Sequence, residues 1–250
     1  MRYFLEFSYK GKEYHGWQRQ PNAISVQETL EHALSLLLRE EILITGAGRT
    51  DTGVHARQMF AHFDTEHVPD RKGLVRRLNA FLPSDIAIQN IHPVTETAHA
   101  RFDAVSRTYE YWIVFEKDPF LAHFAWHCRY SLDVEKMNEA AALLLEYDDF
   151  QCFSKSNTDV KTYKCEISKA LWTKEGKGII FTITADRFLR NMVRAIVGTL
   201  LDVGKGKISK EDVKKIIESK NRGEAGVSVP AHALYLTKVV YPIQLFTEHG

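Results

Sequence analysis

The densest chemistry in the sequence is the run Gly46-Ala47-Gly48-Arg49-Thr50-Asp51-Thr52-Gly53-Val54-His55-Ala56, which packs three glycines, an arginine and an acid into one loop between strands. Glycines there let the backbone take positive φ and let a ligand approach closely. A single carboxylate beside an arginine is charged and fixed in direction, as a nucleophile or a general base must be. Composition alone leaves an ordinary turn, in which Arg49 and Asp51 simply pair, equally open. A second constellation is Arg107-Thr108-Tyr109-Glu110-Tyr111-Trp112. Period two puts Arg107, Tyr109 and Tyr111 on one face of a strand. An aromatic flanked by arginine suits an extruded base, with a stacking surface and a charge nearby for phosphate. Tyr111 reads better as core, and spacing leaves Tyr109 undecided. The third is Asp186–Gly198, where Arg190 and Arg194 stand four apart on one predicted helical face. Leu189, Val193, Ile196, Val197 and Leu200 supply its apolar stripe. Arg194, set among apolar residues, is costly to bury without a carboxylate partner. Arg190 reads first as a solvated charge.

Other patterns point away from chemistry. Gly46-x-Gly48 after a strand invites a dinucleotide reading, but Asp51 occupies the third glycine's place and a strand, not a helix, is expected next. His123 and His127 are four apart, yet no glutamate sits beside His123 and no third ligand suggests itself, so no metal site is expected. Lys205, Lys207, Lys210, Lys214, Lys215, Lys220 and Arg222 make a basic tract that would suit phosphates. Glu211, Asp212 and Glu218 dilute it into a solvated helix face.

The elements that must position these residues follow from periodicity. Residues 2–9 alternate as a strand. Ser25 with Glu28 forms a capping-box pattern ahead of Val26, Leu30, Ala33, Leu34, Leu37 and Leu38, which predicts an amphipathic helix. Ile42–Thr45 and about Gln58–Asp64 read as strands flanking the glycine loop. A helix is predicted over Arg71–Leu82, with Leu74, Leu78 and Phe81 inward, ended by Pro83. Ile86–Ile91 reads as a strand. The second half repeats the order. It has a strand over Val105–Phe115, a helix over about Val134–Tyr147 capped by Asp133, and strands over Cys165–Thr173 and Ile179–Ala185 around a hairpin turn. A helix over Leu189–Val203, an extra one over Ser209–Lys220 and a strand over Ala233–Tyr241 complete it. Each half thus reads β-α-β-β-α-β, the split βαβ or ferredoxin-like order. The predicted class is α+β, two ferredoxin-like halves with sheets side by side and a central cleft, divided at residues 1–100 and 101–250.

Composition sets the limits. With 250 residues, 44% hydrophobic and 26% charged, the chain has ordinary globular composition. No apolar run reaches the roughly 18 residues a membrane span needs, and the N-terminus lacks a secretory pattern. Three cysteines, Cys128, Cys152 and Cys165, are odd in number and widely spaced, as in reduced cytoplasmic proteins. The formal net charge is +1, so any RNA site must come from local segregation of the 33 Lys and Arg residues.

Read in order, six stretches resemble the TruA family of tRNA pseudouridine synthases. They are Tyr9-x-Gly11-x-x-Tyr14-x-Gly16-Trp17-Gln18-x-Gln20, Ser25-Val26-Gln27, Gly48–Ala56, His99-Ala100-Arg101-Phe102, Arg107-x-Tyr109-x-Tyr111, and Phe188-x-x-x-Met192-Val193-Arg194-x-Ile196-Val197-Gly198. The resemblance covers nearly the whole chain. Lys10 stands where the family often has Asp, and Ala233 where Gly is frequent. The resemblance implies Asp51 as the catalytic carboxylate, Arg194 as its partner, and Tyr109 in contact with the target base. It also implies substrate contacts from Arg49, Arg107 and Arg190. Its implied substrate is tRNA, at uridines 38 to 40 of the anticodon stem-loop, and its implied reaction is redox-neutral, with no cofactor and no metal. A cytoplasmic homodimer is implied as well. The alternatives are a non-catalytic RNA-binding module and, more distantly, a nicotinamide oxidoreductase.

Overall fold

The computed structural model describes residues 1–66, 68–155 and 160–247. The chain divides into two units, Met1–Val105 with Tyr235–Gly250, and Ser106–Leu234. The class is α+β, as expected, with five α-helices among the described residues.

In the first unit, β1 (Arg2–Tyr9) is central, paired antiparallel with β3 (His55–Asp64) on one side and β4 (Ile86–Val94) on the other. Its alternating residues Tyr3, Leu5, Phe7 and Tyr9 are buried. Phe4, on the opposite face, is buried too, because the Tyr241 and Phe246 rings cover it at centroid distances of 4.9 and 6.2 Å. Pro93 lies within β4, the outermost strand of the path β4-β1-β3, where a missing ladder donor is tolerated. Helix α1 (Val26–Leu38) starts at Ser25, whose side chain accepts the Glu28 N–H at 3.2 Å. Helix α2 (Arg71–Phe81) is capped by Asp70.

Two expectations need correction in this unit. The strand predicted over Ile42–Thr45 shrinks to β2 (Thr45–Gly46), paired with β3 at His62 and Ala61. The N–H groups of Ile42 and Ile44 are taken instead by α1 side chains, Ser35 Oγ at 2.8 Å and Glu31 Oε1 at 3.1 Å. Phe81, predicted inward, is 45% exposed. It sits in the last turn of α2, where its ring meets His32 at 6.0 Å instead of entering the core.

In the second unit, β5 (Ser106–Val114), β8 (Gly178–Ala185) and β7 (Ile167–Glu175) form an antiparallel path in that order. A short strand that alternation did not signal, β6 (Trp126–His127), adds to β5 in parallel. Helix α3 (Val134–Ala142) is capped by Asp133 and tightens into a 3₁₀ turn at Leu143–Leu145, short of the predicted end at Tyr147. Helix α4 (Met192–Gly204) is buried almost all round, and α5 (Lys210–Ser219) carries a full Ser209–Asp212 capping box. The predicted start of α4 at Leu189 moves to Met192, because Asn191 takes a left-handed conformation at φ 67°. Arg190 therefore precedes the helix and shares no helical face with Arg194.

The last strand is β9 (Leu234–Val240). It pairs in parallel with β3, His55 with Tyr235 and Ala56 with Leu236, and so from Tyr235 onward it is part of the first unit. The division thus differs from a single break at residue 100. Among the described residues no helix is long and apolar enough to cross a membrane. All three cysteines are free and buried, and burial pushes the Cys152 and Cys165 thiols up to about 12.

Candidate active site

Asp51 opens a tight turn between β2 and β3. The Val54 N–H donates to the Asp51 carbonyl at 3.1 Å, and Gly53 takes φ +82° at the third position of that turn. A β-turn of type II needs positive φ there, so this glycine has a backbone reason. The other two glycines of the loop differ. A Cβ on Gly46 would strike the Trp17 ring at 2.5 Å, whereas one on Gly48 would meet nothing within 4 Å.

The Asp51 turn is held from behind by the segment Tyr9–Gln18. Tyr9 shares a 2.8 Å hydroxyl hydrogen bond with Thr50, and the Trp17 N–H donates to the Thr50 carbonyl at 3.2 Å. The Gly11 N–H donates to His55 Nδ1 at 2.9 Å. A Cβ on Gly11 would collide with the Val54 carbonyl, and one on Gly16, at φ +89°, would lie 2.5 Å from the Thr50 carbonyl oxygen. Tyr14 is anchored at 2.7 Å to Asp85, and its burial together with that carboxylate raises the phenol's pKa. His55 stacks on Tyr235 at 4.9 Å, and Arg57 covers the same ring. Residues 50–55 are therefore fixed by partners on both flanks, and Asp51 itself is half-buried. Arg49 is exposed and donates through Nε to Gln18 Oε1 at 3.1 Å.

His99-Ala100-Arg101-Phe102 forms a separate turn in the same unit. The Ala100 N–H donates to His62 Nδ1 at 3.1 Å, and the Tyr241 hydroxyl donates to the Ala100 carbonyl at 2.5 Å. Burial lowers the His62 pKa to about 4, so near neutrality the ring is uncharged and Nδ1 is available as the acceptor.

In the second unit, β5 carries Arg107, Tyr109 and Tyr111. Tyr111 is fully buried, donates its hydroxyl to the Pro230 carbonyl at 3.0 Å, and has its phenol pKa raised by burial, as a core tyrosine should. Tyr109 is half-exposed, its ring edge-on to Phe188 at 5.1 Å. Arg107 donates to the Asp186 carbonyl at 2.6 Å. The strand and the 186–191 turn are thereby brought together. Arg190 is exposed in that turn, and its carbonyl accepts the Lys155 N–H at 3.0 Å. Arg194 is half-buried near the start of α4, where its Nε donates to the Val229 carbonyl at 2.7 Å. The 226–229 segment presses on that helix so closely that a Cβ on Gly198 would collide with the Val227 carbonyl, and one on Gly226 would lie 2.6 Å from the Thr199 nitrogen.

Residue-by-residue chemistry missed the cradle. Tyr9, Gly11, Gly16, Trp17, Thr50 and His55 have no reactive role that a spacing rule could flag. The available signal was the rigid Tyr-x-Gly-x-x-Tyr-x-Gly-Trp pattern, whose two glycines mark close backbone approach.

Aromatic rings beside arginines suit planar, anionic substrates, and a carboxylate on an immobilised turn suits nucleophilic or general-base chemistry. The class these features define is a nucleic-acid-modifying enzyme of α+β fold. Comparison with known proteins narrows the class to a family. A family model described as tRNA pseudouridine synthase matches residues 7–103 and 140–242. The chain is 53% identical over 246 residues to tRNA pseudouridine synthase A of Parabacteroides distasonis, covering 98% of each chain. It is 54% identical over 250 residues to the protein of that name from Porphyromonas gingivalis, covering 98% of this chain and 99% of the other. With that from Bacillus subtilis the identity is 42% over 245 residues, covering 96% and 99%. The chain belongs to the tRNA pseudouridine synthase family.

Proposed function

We propose that this chain isomerises uridine to pseudouridine in tRNA, at positions 38 to 40 of the anticodon stem-loop, with Asp51 as the nucleophile. The observation that carries the assignment is the setting of Asp51, a half-buried acid at the head of a turn clamped by Tyr9, Gly11, Gly16 and Trp17. Fixing a carboxylate in advance removes a cost of orientation from the transition state. The reaction breaks the N1–C1′ bond of the uridine, turns the base, and joins C5 to C1′, with the C5 proton released. The carboxylate serves this as a covalent anchor, whether on the base or on the anomeric carbon. A base stacked in a stem cannot turn in place, so the nucleotide is first extruded.

In this reading Tyr109 receives the extruded base, since its ring is half-exposed and steadied by Phe188. Arg194 is the partner that the family resemblance gives Asp51, and Arg49, Arg107 and Arg190 contact phosphates. The antiparallel order β4-β1-β3-β2 supports a ferredoxin-like reading of the first half, and β5-β8-β7 suits a second. A cytoplasmic homodimer, in which one tRNA could span both protomers, completes the proposal.

Asp51→Asn preserves size and most hydrogen bonding but cannot act as a nucleophilic carboxylate. The variant is expected to bind tRNA about as well as the native protein in a filter titration at matched salt, because phosphate contacts dominate affinity. It is expected to release no tritium from tRNA labelled at uridine C5. Release at the native rate would remove Asp51 from the mechanism. Absence of release from the native protein itself would favour an RNA-binding module.

A further inference from the structure

A line of hydrogen bonds runs from a buried carboxylate to the exposed guanidinium of Arg49. Glu31, on α1, has a side chain only 7% exposed. Its Oε1 accepts the Ile44 N–H at 3.1 Å and Gln27 Nε2 at 3.0 Å. Gln27 Nε2 also donates to the Ile44 carbonyl at 3.0 Å, gripping the chain just ahead of β2. On its other side, Gln27 Oε1 accepts Gln18 Nε2 at 3.0 Å and the Arg19 N–H at 2.9 Å. Gln18 Oε1 then accepts Arg49 Nε at 3.1 Å. Arg19 stands over the buried end of the line, its Nη1 3.6 Å from Glu31 Oε2.

The polarity of this line admits one arrangement. An ionised carboxylate only accepts and a guanidinium only donates, whereas each amide does both. Gln27 must therefore turn its nitrogen to Glu31 and its oxygen to Gln18. Gln18 must turn its nitrogen to Gln27, which leaves its oxygen for Arg49. Both glutamine orientations are dictated from the two ends, and neither can flip alone without setting two acceptors or two donors face to face. An exposed arginine in a loop would otherwise sample many rotamers, each of which is lost when it meets a phosphate.

We propose that Gln18 is a positioning residue that aims Arg49 at the tRNA backbone, with Gln27 and Glu31 as its anchor in α1. This rests on the reading of Arg49 as a substrate contact. Gln18 is exposed, so its replacement leaves the core intact. Gln18→Ala is expected to keep the native melting temperature and kcat while raising the KM for tRNA roughly five-fold, within the range of measured pairwise couplings. Arg49→Ala is expected to raise KM at least as much, and the double variant is expected to match Arg49→Ala alone. That non-additivity is the signature of action through Arg49, which a merely structural role would not produce. Additive effects would overturn the proposal, because Gln18 would then touch the RNA itself. It is equally overturned if Gln18→Ala leaves KM unchanged while Arg49→Ala weakens it. An unchanged KM in Arg49→Ala would instead overturn the role given to Arg49, and this inference with it, while leaving the Asp51 test standing.

Discussion

At the residue scale, Tyr109 and Tyr111 show what alternation can and cannot tell. Period two placed both rings on one face of β5, and both are there. Tyr111 was read as the core residue and is fully buried, whereas the fate of Tyr109 was not legible, because its neighbour Phe188 comes from distant sequence. Pro230 takes the Tyr111 hydroxyl, whereas the Tyr109 ring, half-exposed, meets the edge of Phe188. Their chemical futures diverge accordingly. Tyr109→Ala is expected to lose base contact of roughly 1–3 kcal/mol, read as a fall in kcat/KM for tritium release. Tyr109→Phe keeps the ring, so it should retain most activity if stacking is the whole role. If the hydroxyl also handles the C5 proton, the phenylalanine variant should cleave the glycosidic bond and then stall. Full activity in both variants would take Tyr109 out of the site.

At the element scale, helices were easier to read than the loop between β2 and β3. Caps at Ser25, Asp70, Asp133 and Ser209 are local signals, and each side chain accepts the backbone N–H expected of it. The loop depends on partners far away in sequence. Ile42 and Ile44 look like strand residues, but α1 side chains take their N–H groups first. The start of α4 failed for a related reason, since one asparagine in a left-handed conformation outweighs a continuous apolar stripe. The run around Asp51 stood out by its residue types, while the clamping of its turn by Tyr9, Gly11, Gly16 and Trp17 did not. Gly16 tests that rigidity directly. An alanine there must adopt positive φ, which costs about 1–2 kcal/mol, and must also displace the Thr50 carbonyl. Gly16→Ala is expected to lower the melting temperature and to reduce kcat by more than tRNA affinity, because it moves the turn that bears Asp51. A variant with native kcat would show that the turn tolerates displacement.

At the scale of the whole molecule, a net charge of +1 gives no long-range pull on RNA, so affinity must rest on a small number of placed cations. Titration of tRNA binding against salt counts them. The slope of log affinity against log salt should become shallower by roughly 0.7–0.9 for each phosphate-contacting arginine removed. Arg49→Ala, Arg107→Ala and Arg190→Ala are each expected to show that change, and a slope equal to the native one would strike that arginine from the interface. The α+β class was legible from the order of elements, but the division of the chain was not. A final strand looks the same in sequence wherever it packs, and it is the contacts of Tyr235–Gly250 that put this stretch in the first unit.

That assignment has a consequence for how the chain comes into being. The second unit is one uninterrupted stretch, Ser106–Leu234, and it is synthesised before the closing piece of the first. The first unit is written in two pieces, so β3 waits for Tyr235 and Leu236, and Phe4 for the rings of Tyr241 and Phe246, until those residues are translated. At roughly 5–20 residues per second, the 129 intervening positions take on the order of ten seconds. For that interval the nascent protein carries the Asp51 loop on a sheet whose neighbouring strand has not yet been made. Maturation of the loop is thereby tied to synthesis of Tyr235 and Leu236, and a message cut short before residue 235 would yield a chain with the aspartate but without the strand that pairs His55 and Ala56.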